Sequence, residues 1–412
     1  MAVAQVGGSW IRAACVAVVV ASSTVLGGCT VGPVPGPTEP ASPTSTVPPT
    51  AVRVPTGLTR EVRAQLEQYS QGLIDAGAPA VLVELHVGAE VWTHAAGVRN
   101  SAGQGARATD PVHVGQITQS LVAVSVLKLA EEGRLSLDAP ASTYLPELQS
   151  LLHQPEPYTV RRLLGHTSGM PDFYAALLDS VPPRQALATR MSPEQRLALA
   201  ATRPWQKRSA QGLSYSNSNY IALGLIVERL RGQPLADVLR ADVVQPLGLG
   251  GTRLTDDGPV PDGVVHGYTL IDGEPVDTTY TALHRNSAAT GLVSTVVDLN
   301  TFFDALLNGR LVGRGLVGEM LAPVYAEYGL GLHQWNDTCT NGFYNGYVGD
   351  VPGYGTVAMA SADGSRRLAL AVAYPPSPLS KDANAIALEM TGLAEEVLNG
   401  SCRLGGGVSF GE

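Results

Sequence analysis

Lysine is almost missing from this chain: three stand among 412 residues, against 24 arginines, and the formal net charge is −9. Without a basic run or patch, the electrostatic footprint of a protein that binds nucleic acid or another polyanion is excluded. Cysteine is scarce, at four, with no CxxC, and the eight histidines include no HExxH. Spacing therefore offers no metal centre, and no cofactor is expected. Beyond the first 28 residues no apolar run is long enough for a membrane-spanning helix.

What is present begins with MAVAQVGGSWIRAACVAVVVASSTVLGG, a single Arg12 ahead of an apolar run from Ala13 to Leu26. The run is too short to span a bilayer and fits an export signal, residues 1–28. Leu26-Gly27-Gly28-Cys29 resembles the bacterial lipobox, which implies lipid on Cys29. That lipid would anchor the exported protein to the outer face of the cell membrane, in the envelope. Residues 29–56 are rich in Pro, Thr and Ser and cannot bury a core, so an extended tether is expected. Cys15 leaves with the signal and Cys29 is lipidated, so Cys339 and Cys402 are left to each other. An oxidising compartment favours one disulfide over two buried thiols. By chain-entropy arithmetic it would contribute roughly 4 kcal/mol.

Residues 57–402 form one large two-lobed module ahead of a tail at 403–412. A helix is expected over Leu58–Ala76, strands over Ala80–Val87 and Glu90–Val98 about a turn at Gly88, a strand from Arg366 to Tyr374 and a closing helix over Ala383–Leu398. Between them lie VHVGQITQSLVAVSVLKLAEEGRLSLDAPASTYLP, LLGHTSGMPDF, LSYSNSNYIALGLIVERL, TGLVSTVVDL and NGYVGDVPGYGTVAMAS. Together these segments resemble the penicillin-recognising serine hydrolases, the class C β-lactamases and DD-peptidases. The resemblance implies an α+β, β-lactamase/transpeptidase-like fold. It has a sheet lobe (57–112 and 285–402, an antiparallel sheet flanked by helices), in which Tyr328-Gly329-Leu330-Gly331-Leu332 matches a strand, and an all-helical lobe (113–284).

In that family the central helix opens with Ser-x-x-Lys, the nucleophile and its base. Here the string reads Gly115-Gln116-Ile117-Thr118-Gln119. Gln116 stands at the serine position and Gln119 at the lysine position, and an amide is neither a nucleophile nor a base near neutrality. Losing such a pair typically costs on the order of 10⁶ in turnover. A literal Ser125-Val126-Leu127-Lys128 follows nine residues later, half a turn out of phase on a helix, and reads as a core serine and a solvated lysine near Glu131 or Glu132.

The Tyr-x-Asn motif is intact as Tyr215-Ser216-Asn217. Tyr215 has lost its catalytic partner, and Asn217 could still hold an amide. His166 reads as a packed turn residue. The Lys-Thr-Gly position is Tyr347-Val348-Gly349, with Tyr347 open to a packing or a binding role. The backbone amides of Gln116 and Asp350 could retain an oxyanion hole, with the Asp350 carboxylate repelling an anionic ligand. Two readings follow. One is a non-catalytic lipoprotein that binds a peptidoglycan-like peptide or an envelope protein. The other is a carboxypeptidase-, esterase- or β-lactamase-type enzyme with a rewired nucleophile at Tyr215, Ser120 or Ser168.

Overall fold

The computed structural model of the protein describes residues 57–153, 155, 157–206, 212–255, 260 and 262–402. The expected export signal, Cys29, the tether and the tail lie outside these residues. Among the described residues the strands are β1 Ala80–Val87, β2 Glu90–Gly97, β3 Val112–His113, β4 Arg253–Leu254, β5 Tyr268–Ile271, β6 Glu274–Asp277, β7 Leu292–Ser294, β8 His333–Asp337, β9 Gly342–Val351, β10 Tyr354–Ser361, β11 Arg366–Ala373 and β12 Ser377–Pro378. The principal sheet is antiparallel, in the order β2-β1-β11-β10-β9-β8.

Alternation of side chains gives this sheet two unlike faces. Ala80, Leu82, Ala369, Ala371 and Ala373 point into one core, while Val81, Val83, Leu85, Leu368, Leu370 and Val372 point into another. The small residues let helix Val296–Leu307 lie against β10 and β11. The bulky face is covered by helices Arg60–Asp75 and Ala385–Gly400. Glu84 interrupts the small face, and its carboxylate accepts from Asn300 Nδ2 on that helix at 2.9 Å.

The central helix, Ile117–Glu131, starts one residue after Gln116, and twelve of its fifteen residues are buried. A helix apolar on all sides belongs in a core, and this one packs against helix Asn217–Arg231. Ser125 is fully buried and Lys128 half-buried. The acids expected beside Lys128 are engaged elsewhere: Glu131 accepts from the Gly313 amide, and Glu132 pairs with Arg134 and Arg231.

Two expectations need correction. The segment expected to be all-helical contains β4 and the hairpin β5–β6. Asp272 and Gly273 have φ of 57° and 83°, the paired left-handed positions that a two-residue hairpin turn requires. Residues 328–332, read as a strand, are a turn with isolated bridges, and the strand begins at His333. Gly331, at φ 77°, passes so close to the central helix that a Cβ there would lie 2.7 Å from that of Ala123. Cys339 and Cys402 are joined in a disulfide that ties the β8–β9 turn to the end of helix Ala385–Gly400.

Candidate functional site

The start of the central helix meets the side of β9 at a contact that only glycine permits. A Cβ on Gly349 would lie 2.0 Å from the Val114 carbonyl oxygen, and Gly115 sits opposite at φ 51°. This crossing sets Gln116 against Asp350. The Asp350 N–H donates to Gln116 Oε1 at 2.7 Å, and Gln116 Nε2 donates to the Asp350 carbonyl at 3.0 Å. The expected oxyanion hole is therefore corrected: one of its two donors is already taken by the side chain at the nucleophile position. The Asp350 carboxylate is held by Tyr374 Oη at 3.2 Å and the Asn384 N–H at 2.6 Å. Burial raises its pKa, opposed by those same two hydrogen bonds.

One turn further, Gln119 is fully buried and uses both ends of its amide. Nε2 donates to Tyr215 Oη at 3.0 Å and to Asn217 Oδ1 at 3.4 Å. Oε1 accepts from Tyr347 Oη at 2.6 Å and from His166 Nε2 at 3.0 Å. The imidazole tautomer follows from its other nitrogen, which accepts from Asn219 Nδ2 and the Ser216 N–H, leaving the proton on Nε2. Burial, helped by His333, pushes the pKa of His166 down to about 3, so the ring is neutral. A lysine at 119 could only donate, and would meet the His166 N–H head on.

Tyr347 is thus neither a mere packing residue nor a free ligand group. Its hydroxyl is shared between Gln119 and Tyr328 Oη, the latter at 2.9 Å. Asn217 accepts from Tyr215 Oη at 3.2 Å and donates to Asp172 at 3.0 Å, which occupies most of its capacity. Burial, followed by the Asp172 charge, raises the Tyr215 pKa, so its phenol stays protonated. Ser120 and Ser168 are fully buried. Ser120 donates to the Gly331 carbonyl at 2.8 Å and Ser168 to Asn219 Oδ1 at 2.6 Å.

Above this floor lies a cleft of about 520 Å³, walled by Tyr174, Tyr374, His333 and the loop 377–385. Among the described residues its lysine is Lys381, paired with Asp179. Sequence reasoning missed Asp172, Tyr328, His333 and this loop, and undervalued His166. Asp172 had a readable signal: it precedes an apolar run, and it caps helix Phe173–Ser180 by accepting from the Ala175 N–H. The others come together only through tertiary packing.

The Beta-lactamase family model matches residues 62–389. Esterase EstB of Burkholderia gladioli is 33% identical over 178 residues, 41% of this chain and 45% of that protein. The chain spans about half the length of the curated relatives it matches. Among solved structures, a D-stereospecific amidohydrolase from Streptomyces sp. superposes with a TM-score of 0.68 at 26% identity, over 81% of this chain and 97% of that one. The D-amino acid amidase of Ochrobactrum anthropi SV3, complexed with D-phenylalanine, gives 0.70 at 22% identity over 83% and 99%, a likeness of fold.

Proposed function

The chain belongs to the Beta-lactamase family, and from that premise we propose that its cleft binds a ligand without cleaving it. The observation that carries this reading is Gln119. Both ends of its buried amide are hydrogen-bonded, and two donors, Tyr347 and His166, converge on its oxygen. A site wired around an acceptor disfavours an ammonium at this position, and the amide that stands there cannot take up the proton that acyl transfer hands over. The hydroxyls of Tyr215, Ser120 and Ser168 each meet a neutral acceptor and, among the described residues, no base. The protein would be exported and lipid-anchored through Cys29. There it would present the cleft to a peptidoglycan-like peptide or an envelope protein.

The test is to treat the purified module, freed of its signal, with a fluorescent β-lactam and a fluorophosphonate and to read intact mass. The expected result is no adduct, with saturable binding of peptidoglycan peptides followed by shifts of cleft amide resonances. An adduct would overturn the reading, and the labelled residue would name a replacement nucleophile.

A further inference from the structure

We infer that the Gln116 side chain is a built-in competitor for the cleft: it occupies the place of an extended peptide amide on β9, and a ligand must displace it. This rests on the binding reading above. It adds the ligand's chemistry and a restraint on its access.

The strand itself supplies the geometry. β8 covers β9 only from Gly342 to Gly346, so β9 beyond Tyr347 has no strand on that side. The Gln334 N–H points away from β9, to the Glu327 carbonyl. His333, Trp335 and Asp337 are therefore the residues that exchange backbone bonds with β9, at Gly346, Tyr344 and Gly342. Continuing that alternation, Val348 and Asp350 turn their N–H and C=O groups to the uncovered side. The cleft opens there, with Val348, Asp350 and Gln116 all in its wall.

At Asp350 the uncovered side is not empty. Gln116 accepts from its N–H and donates to its carbonyl, the two-point pattern that one residue of an added strand makes. The side chain contributes no helix cap: Gln116 is the N-cap residue and its amide bonds to no helix N–H. Both of its hydrogen bonds go to the strand.

A ligand that exchanges with Gln116 must offer an acceptor and a donor in the same spacing, which is the backbone of an extended peptide. The segment should be neutral at this point. The cleft's lysine is already paired, and the Asp350 carboxylate stands beside the exchange position. Because the open form is a fraction of the population, apparent affinity falls by that fraction.

The experiment compares the natural protein with Gln116→Ala and Gln116→Asn, whose amide is one methylene too short to reach both groups. The probe is N-acetyl-alanyl-alanine N-methylamide, in the L,L and D,D series, titrated while the Asp350 amide resonance and its hydrogen exchange are followed. In the natural protein the Asp350 N–H should exchange slowly, and in both variants quickly. Both variants should bind at least one series more tightly than the natural protein, on the order of tenfold to a hundredfold, since two hydrogen bonds no longer compete. Equal affinities would overturn the latch and leave the binding reading standing. Weaker binding by the variants would also overturn it, making Gln116 a ligand contact. No binding by any form, with the Asp350 amide open in the variants, would overturn the inference and the peptide-binding reading together.

Discussion

Two of the buried polar networks among the described residues are built from opposite chemistry. Beside the disulfide, Arg366 and Asp337 form a bidentate pair at 2.6 and 3.1 Å, with both side chains 1% exposed. Tyr344 accepts from Arg366 at 2.7 Å and donates to Asn399, and Asp337 also accepts from Thr340 and the Cys339 N–H. Under the cleft, by contrast, the hub of Gln119, Tyr215, Asn217, His166, Tyr347 and Tyr328 is neutral throughout. In the family this chain resembles, the charged lysine belongs to the site. Here the ion pair serves to fasten a turn to the last helix, while the hub under the cleft is built of dipoles, with the Asp172 and Asp350 carboxylates at its edge. A network that holds shape tolerates charge if every lone pair is met. The hub is satisfied by amides, phenols and a neutral imidazole instead.

The largest effect should come from breaking the charged network. Arg366→Ala leaves Asp337 buried and unpaired, and the expected loss is about 3–5 kcal/mol, read from urea unfolding. Burial alone would raise the Asp337 pKa, but the hydrogen bonds from Arg366 and Thr340 leave it lowered. Its contribution is therefore complete above the unfolded carboxylate value near 4 and fades as pH falls through the lower folded value. A loss under about 1 kcal/mol would mean that Asp337 is relieved in the variant, by taking up a proton or by water entering beside it.

A smaller loss is expected from the neutral hub. Gln119→Leu removes the acceptor of the His166 N–H and of Tyr347, and Tyr347 can turn to Tyr328 while His166 cannot. One orphaned donor predicts a loss of about 1–3 kcal/mol. Gln119→Lys should be at least as destabilised, because its ammonium faces the same N–H. If Gln119→Lys instead unfolded at the natural urea midpoint, the hub would be adaptable, and the contrast between the networks would weaken.

Much of this contrast was legible in the sequence, and the illegible part has a physical cause. Gln116 and Gln119 stood out because the string around them resembles the family's Ser-x-x-Lys helix start, and Tyr215, Asn217 and Gly349 followed from strings that resemble its other motifs. The Cys339–Cys402 bond followed from having no other partner. What no string could reveal is where the freed hydrogen-bonding capacity goes. That Gln116 reaches Asp350 depends on a crossing between segments 234 residues apart. That His166 donates to Gln119 depends on a tautomer set by Asn219 and Ser216. The hairpin at Asp272-Gly273 was readable from its turn residues, and the resemblance to an all-helical lobe obscured it.

The finest separation of the two networks is by pH. His166 is held near 3 by burial and His333, His284 near 3 by burial with His113 and Arg196, and His333 near 4 by burial. An unfolded histidine titrates near 6.5. As pH drops below that value the unfolded chain takes up protons that the folded hub refuses, so stability falls with pH until the folded values are reached. Each such histidine contributes a slope of about 1.4 kcal/mol per pH unit in that window. The Asp337 pair acts only below about pH 4, so the stretch from about 6 to 4 reports the buried histidines, His166 of the hub together with His333, His284 and His113, and not the ion pair. His166→Asn, whose side chain suits the positive φ of 49° at this position, should reduce the slope there by one histidine's share. Urea midpoints at closely spaced pH values measure it. An unchanged slope would mean that His166 takes up its proton in the folded protein, and the hub under the cleft would then hold a charge after all.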